Sequence, residues 1–144
     1  MSASSPDNFF LDTNIFVYSV TSDDPEKSKT ARELVRNTLA THKGVVSYQV
    51  VQEFFNLALK RFEIRMSHVD REDYLERVFQ PMLKVHSSMG LYSEALRLHL
   101  AHKISWYDAL IICAAREAGC GVLYSEDLQN GQRFGSLRVV NPFV

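Results

Sequence analysis

The sequence lacks the features that mark secreted and membrane-bound proteins. It has two cysteines, Cys113 and Cys120, among 144 residues, which favours free thiols in a reducing compartment over a disulfide framework. No apolar run approaches the roughly 20 residues that span a bilayer, so we expect no membrane association. Residues 1–8 carry neither positive charge nor an apolar stretch, so we expect a flexible end rather than a signal peptide. These absences predict a cytoplasmic protein.

Several common functional motifs are also missing. There is no Gly-x-Gly-x-x-Gly or Walker-type loop and no Gly-x-Ser-x-Gly elbow, so dinucleotide binding, nucleotide hydrolysis and serine-hydrolase chemistry lack support. The histidines are scattered, and no Cys or further His completes a zinc set at a recognised spacing. We therefore expect all five on the surface: His42, His68, His86, His99 and His102.

The composition is that of one soluble globular domain, which we expect to span residues 1–144. Apolar residues make up 46% and charged residues 23%, and the net charge of −1 gives no general attraction to nucleic acid. If four of the 17 acidic residues hold a metal, 13 acidic residues remain to balance 16 basic residues. The remaining surface is then weakly basic.

Short apolar runs alternate with longer amphipathic stretches along the chain. We predict strands at 9–11, 45–46, 83–85, 122–124 and 137–140. We predict helical segments at 15–18, 26–39, 48–61 (with Phe62 on the buried side), 70–79, 91–102 and 106–118, and a polar loop at 127–135. The alternation predicts a three-layer α/β fold with a short central parallel sheet.

The segment 9–14 contains the first candidate site residue. Three apolar residues lead directly into Asp12, which is followed by Thr13 and Asn14. The apolar run suits a strand buried on both faces, although periodicity alone also allows the first turn of a buried helix. A strand ending at Asp12 places this carboxylate where open parallel sheets bind ligands, outside the carboxyl ends of the strands.

Three more acids lie in early helix turns or after a strand, and each of them also has a purely structural explanation. Glu53 lies in an apolar helix, where burial is costly unless the acid is paired or binds a metal; a solvent-facing position is the alternative. Ser105 and Asp108 have the spacing of a capping box, which does not exclude a functional role because the helix start favours an ionised acid. Asp127 follows a strand, but Asp is also common in loops.

Together these four acids are predicted to lie on one rim of the sheet. Carboxylates crowded in one cleft repel each other and take up protons unless a cation neutralises them. Sites built from oxygen atoms suit Mg²⁺ or Mn²⁺. Such ions activate water and stabilise charge on phosphate, so the pattern predicts phosphoryl chemistry.

The acidic motifs resemble those of the PIN-domain nucleases, and the short chain is similar to the VapC toxins of bacterial toxin–antitoxin pairs. The resemblance runs from about Phe9 to Phe143 and is carried by residues 10–14, by Glu53 in its apolar helix, by residues 106–109 and by residues 125–127. It implies a three-layer α/β/α PIN-like domain and a metal-dependent endoribonuclease. It also implies an RNA substrate such as tRNA or rRNA, a cognate antitoxin protein and a homodimer.

The resemblance assigns roles residue by residue. By position, Asp12, Glu53, Asp108 and Asp127 are the catalytic acids that hold Mg²⁺ or Mn²⁺, with Glu53 binding directly or through water. Supporting roles are implied for Thr13, Asn14, Ser125 and Glu126, the last as a residue that assists or replaces Asp127.

Three alternatives remain at this stage. The first is a PIN-type RNA-processing nuclease that is not a toxin. The second is a non-catalytic module that binds RNA or protein, against which the complete set of four acids counts. The third is a phosphatase with Asp12 as nucleophile, which expects an acid two residues later, where Asn14 stands.

Overall fold

The structure, a computed structural model, describes residues 8–61 and 63–144. Most of the predicted flexible end and the predicted buried position of Phe62 therefore lie outside the described residues. Six strands form one sheet: β1 (Phe9–Leu11), β2 (Gly44–Ser47), β3 (Leu83–Val85), β4 (Val122–Tyr124), β5 (Arg133–Phe134) and β6 (Leu137–Val140).

Seven α-helices and one π-helical segment connect the described strands. The helices are α1 (Thr13–Ser19), α2 (Pro25–Thr41), α3 (Tyr48–Lys60), α4 (His68–Tyr74), α5 (Gln80–Met82), α6 (Met89–His102) and α7 (Trp106–Glu117), with the π-helical segment Leu75–Phe79 between α4 and α5. Pro25 begins α2 after the capping residue Asp24, and Gly119 follows α7 with a positive φ of 71°. Both positions follow the usual preference for Pro at helix starts and Gly after helix ends.

The strand order is β3-β2-β1-β4-β6-β5, so β1 lies between β2 and β4. All pairs are parallel except β5 with β6. The chain moves outward from β1 to β3 and then crosses back to β4 on the other side of β1. Because such crossovers are right-handed, this reversal puts the earlier helices on one face of the sheet and α6–α7 on the other. The carboxyl ends of β1 and β4 therefore border the topological switch point, where open sheets bind ligands.

The predicted α/β fold with a central parallel sheet is confirmed, and the strands and helices match their predicted positions closely. The predicted polar loop at 127–135 is wrong at its end, because Arg133 and Phe134 form β5. Phe134 pairs with Leu137 across the turn at Gly135, whose φ is 65°. Pro81 lies within α5 and follows the π-helical segment, where the helix changes its hydrogen-bond pattern.

The strands supply the centre of the core. Phe10, Leu11, Val46 and Leu123 are fully buried, as expected for strands covered on both faces. Both cysteines are buried and free, and all five histidines are exposed, as predicted. Among the described residues, no helix is both long and apolar enough to cross a membrane.

Candidate functional site

A cleft of about 130 Å³ opens beside the switch point of the sheet. It is lined by the four predicted acids, by the two small polar residues after Asp12, and by four residues of α3 and α7. These are Asp12, Thr13, Asn14, Gln49, Glu53, Leu57, Tyr107, Asp108, Ile111 and Asp127. The structure therefore brings Asp12, Glu53, Asp108 and Asp127 to one place.

Asp12 is the most deeply placed of the four acids, with 7% of its surface exposed. It follows β1 and is the N-cap of α1, where its Oδ1 accepts the backbone N–H of Thr13 at 2.7 Å. Its Oδ2 accepts the hydroxyl of Ser125 at 2.8 Å. Both carboxylate oxygens are thus fixed in direction by donors from the two strand ends that border the switch point.

Glu53 is held over the cleft by a contact between α1 and α3. The hydroxyl of Thr13 donates to Glu53 Oε1 at 2.9 Å. The amide of Gln49, one turn earlier on α3, lies 3.5 Å from the same oxygen. Glu53 is half-buried rather than solvent-facing, so the solvent-facing alternative is wrong.

Asp108 enters the cleft from the first turn of α7. The hydroxyl of Ser105 accepts the backbone N–H of Asp108 at 3.1 Å and so caps the helix. The capping interpretation of Ser105 is therefore confirmed for the backbone of Asp108, while the carboxylate side chain lines the cleft.

Asp127 completes the cleft from the loop after β4. The side-chain amide of Asn14 donates to its two carboxylate oxygens at 3.4 and 3.2 Å. The backbone N–H of Asp127 donates to the hydroxyl of Ser125 at 3.2 Å. Ser125 is fully buried and connects Asp127 to Asp12.

Glu126 is the one predicted site residue that the structure directs away from the cleft. Its carboxylate forms an ion pair with Lys27 of α2 and accepts the hydroxyl of Tyr18 at 2.7 Å. Burial alone would raise the pKa of Glu126, but the hydrogen bonds from Lys27 and Tyr18 lower it overall. The carboxylate therefore remains ionised and is held by α1 and α2.

The sequence profile of the PIN domain matches residues 9–130. The chain belongs to the PIN domain family. The match covers the four acids and ends before β5, so it includes every residue that lines the cleft. No curated protein matches the chain significantly.

Two solved structures share this PIN fold at low sequence identity. One is the VapC20 toxin of Mycobacterium tuberculosis, described as cleaving the sarcin–ricin loop, with a TM-score of 0.63 and 19% identity over 83% of this chain and 90% of that one. The other is a toxin–antitoxin complex from Klebsiella pneumoniae, with a TM-score of 0.64 and 17% identity over 94% of this chain and 98% of that one. At these identities the similarity establishes the fold.

Burial, with mutual repulsion added to it, raises the pKa of two acids of the PIN domain cleft. Burial raises the pKa of Asp12 to about 6, against the hydrogen bonds from Ser125 and Thr13, with further increases from the charges of Asp127 and Glu53. Desolvation also raises the pKa of Asp127, followed by repulsion from Asp108 and Glu126. A cation in the cleft would attract both carboxylates and lower the pKa of each.

The donor chemistry of the cleft fits a hard divalent cation. Its acidic ligands are all carboxylates, and no Cys or His lines it, which favours Mg²⁺ or Mn²⁺ over zinc. Across residues 8–61 and 63–144, no three His, Cys, Asp or Glu side chains are close enough to form a ready metal cluster. Asp12 is buried, Glu53 and Asp108 are half-buried and Asp127 is exposed.

Sequence reasoning did not assign to the site the four residues of α3 and α7 that complete the PIN domain cleft, or one partner outside it. Gln49 precedes Glu53 by one helical turn, a spacing that places both on one helix face and that could have identified it. Tyr107 is 61% exposed and lies beside Asp108, and only the cleft geometry selects it. Lys27 pairs with Glu126 across 99 residues, and no sequence pattern marks that contact.

Proposed function

We propose that the chain is a metal-dependent endoribonuclease that cleaves RNA phosphodiester bonds. The observation that carries the proposal is the convergence of Asp12, Glu53, Asp108 and Asp127 on one cleft at the switch point of a PIN domain. Acids that share one cleft repel each other unless a cation neutralises them, and Asp12 also pays the cost of burial. Oxygen ligands arranged in this way support phosphoryl chemistry.

In this proposal Asp12, Asp108 and Asp127 hold Mg²⁺ or Mn²⁺, and Glu53 holds it directly or through water. When bound, the ion activates a water molecule and stabilises charge on the phosphate. The rest of the chain fixes the directions of the carboxylates. Ser125 and the N–H of Thr13 orient Asp12, the hydroxyl of Thr13 orients Glu53, and Asn14 restrains Asp127. Such surrounding hydrogen bonds typically change metal affinity or activity by about 10–100-fold.

We further propose that this nuclease is the cytoplasmic toxin of a toxin–antitoxin pair. Both solved structures described above come from such systems, and the similarity extends over 90% and 98% of their chains. A cognate antitoxin, a homodimer and a tRNA or rRNA substrate belong to this proposal. A PIN-type RNA-processing nuclease shares the chemistry but has no dedicated inhibitor protein.

The decisive experiment measures cleavage of total tRNA and ribosomal RNA by the purified chain. Reactions contain Mg²⁺, Mn²⁺ or a chelator, and Asp12→Asn is run beside Asp23→Asn. Asp23 is exposed and does not line the cleft, so its variant controls for the loss of one negative charge. We expect discrete fragments that require a metal, disappear with Asp12→Asn and persist with Asp23→Asn.

The same experiment can overturn the proposal. Unchanged cleavage by Asp12→Asn, or cleavage that survives chelation, excludes the mechanism. A folded protein that binds RNA under chelation and yields no products supports the non-catalytic binding module instead. The toxin proposal is tested separately, by growth arrest on expression in bacteria and by its relief when a small protein encoded beside the gene is co-expressed, if the genome holds one.

A further inference from the structure

A second cavity lies next to the acidic cleft and is larger, with a volume of about 220 Å³. Gln49 and Tyr107 line both spaces. The side-chain amide of Gln49 donates to the backbone oxygen of Tyr107 at 3.3 Å. This pair forms the partition between the two spaces, so a ligand of the second cavity would sit beside a phosphate in the acidic cleft.

The second cavity lies on the same edge of the sheet as the acids. Ser47 is the last residue of β2 and His86 directly follows β3, and both line the cavity. Because β3, β2, β1 and β4 are neighbours in that order, the cavity continues the row of carboxyl strand ends from Asp12 outward. Helices α6 and α7 supply the opposite wall through Tyr92 and Trp106.

The cavity differs from the acidic cleft in its chemistry. Among the described residues that line it there is no Asp, Glu, Lys or Arg. Tyr92 and Trp106 form an aromatic wall, with ring centroids 6.0 Å apart and planes inclined at 44°. The remaining polar groups are hydroxyls, amides and one imidazole. This lining suits a neutral, flat group with hydrogen-bonding edges better than a phosphate or an ion.

Ser47 provides an independent sign of a ligand. Only 5% of the residue is exposed, and its hydroxyl is buried with no hydrogen-bond partner in the part of the chain that the structure describes. It stands at the N-cap position of α3 and yet makes no capping hydrogen bond. Most buried hydroxyls are paired, so this one is free to accept or donate a hydrogen bond to a molecule that enters the cavity.

We propose that this space, named here the base cavity, binds one unstacked nucleobase of RNA beside the phosphate at the acidic cleft. Single-stranded RNA is commonly recognised by stacking bases on aromatic side chains and by hydrogen bonds to their edges. Tyr92 and Trp106 offer the stacking surface, and Ser47 and Gln52 offer the edge contacts. The inference rests on the proposed nuclease, for which it would set the cleavage sequence.

The test uses Trp106, the only tryptophan of the chain, as a fluorescent probe. The probes are four 2′-O-methyl hexanucleotides, each of one base, with uncharged methylphosphonate links. They contain no cleavable phosphodiester and carry no charge for a metal to hold. Their binding to the full chain therefore reports on bases alone, independently of nuclease activity.

Ser47→Ala is the main variant, because the hydroxyl it removes has no partner among the described residues and its loss breaks no hydrogen bond of the fold. Ser93→Ala is the matched control on α6, since Ser93 is exposed and does not line the cavity. We expect a saturable change in Trp106 fluorescence that differs among the four bases. Ser47→Ala should lower the affinity for the hexanucleotide of the preferred base by about five- to tenfold, the effect of one lost hydrogen bond. Ser93→Ala should leave that affinity unchanged.

Three results would overturn the base cavity. The first is no fluorescence change with any hexanucleotide, and the second is unchanged binding by Ser47→Ala. The third is a shift of sedimentation by Ser47→Ala or Gln52→Ala, which would make the surface a contact between copies of the chain. Binding of bases by a chain that shows no metal-dependent RNA cleavage would support the base cavity and reject the proposed nuclease. Failure of one proposal can therefore be told apart from failure of the other.

Discussion

Ser125 donates its hydroxyl to Asp12 Oδ2 at 2.8 Å, across 113 residues of sequence. The hydroxyl oxygen of Ser125 in turn accepts the backbone N–H of Asp127 at 3.2 Å. A single buried hydroxyl thus sets the positions of two acids on neighbouring strand ends.

Ser125→Ala should therefore damage both stability and activity. The buried carboxylate of Asp12 loses the Ser125 hydroxyl and keeps the backbone N–H of Thr13 as a donor, which should lower the free energy of unfolding by about 1–3 kcal/mol. Cleavage should fall by about 10–100-fold. Urea unfolding and cleavage of the same RNA measure the two effects, with Ser22→Ala at an exposed position as the control. Wild-type cleavage in a Ser125→Ala protein would show that the orientation of Asp12 does not matter.

Thr13→Val tests the hydroxyl that holds Glu53. The substitution keeps the shape of the side chain but removes the 2.9 Å hydrogen bond to Glu53 Oε1. We expect a loss of cleavage of about 10–100-fold with a fold that remains intact by circular dichroism. Thr13→Ser retains the hydroxyl and should recover most of the activity. Equal losses in the two variants would assign the role of Thr13 to its methyl group instead.

Glu126→Gln and Asp127→Asn should differ sharply although the residues are adjacent. Glu126 is bound by Lys27 and Tyr18 outside the cleft, so its variant should keep its cleavage rate and lose no more than about 1 kcal/mol of stability. Asp127 lines the cleft, and its variant should lose cleavage and Mg²⁺ binding. Cleavage assays and calorimetric Mg²⁺ titration of both variants provide the comparison. Loss of cleavage by Glu126→Gln would restore Glu126 to the supporting role that its sequence position implies.

The raised pKa of Asp12 predicts how stability depends on pH in a chelating buffer. Burial raises this pKa from 3.8 to about 6, so between these values the folded state binds a proton more tightly than the unfolded state. The free energy of unfolding should therefore fall as pH rises from 4 to 6, by up to about 2–3 kcal/mol from this group. Asp127, whose pKa is also raised, acts in the same direction.

Urea unfolding of wild type and Asp12→Asn at pH 4, 5, 6 and 7 measures this dependence. The variant cannot ionise at position 12, so its profile should be flatter, and its stability relative to wild type should improve as pH rises. Parallel profiles would show that Asp12 does not titrate in this range. Adding Mg²⁺ should stabilise wild type more at pH 7 than at pH 4, because the ion binds ionised carboxylates.

The main features of the fold were readable from the sequence because each short apolar run ends at a polar or turn residue. Leu11 followed by Asp12 and Tyr124 followed by Ser125 show this for the two strands at the switch point. Strand β5 escaped prediction because two residues are too few for a period-two pattern. The Gly135–Ser136 turn before Leu137 was the available signal, since Gly at the first loop position is typical of two-residue hairpins.

The four acids of the site could be predicted from the sequence because they lie just after strands or in the early turns of helices. What the sequence did not contain was the direction of each side chain. Glu126 and Asp127 are adjacent, yet they serve different partners because Lys27 and Tyr18 happen to lie beside one and Asn14 beside the other. Contacts of this kind depend on packing between α1, α2 and the loop after β4.

The position of β1 between β2 and β4 has a consequence for synthesis of the protein. Asp12 leaves the ribosome more than a hundred residues before the hydroxyl of Ser125, which follows the neighbouring strand β4. A nascent chain therefore carries these acids apart and can assemble the cleft only after the segment with Ser125 and Asp127 has been synthesised. For an enzyme proposed to cut RNA, this order of synthesis means that the catalytic cleft cannot form before that segment has left the ribosome.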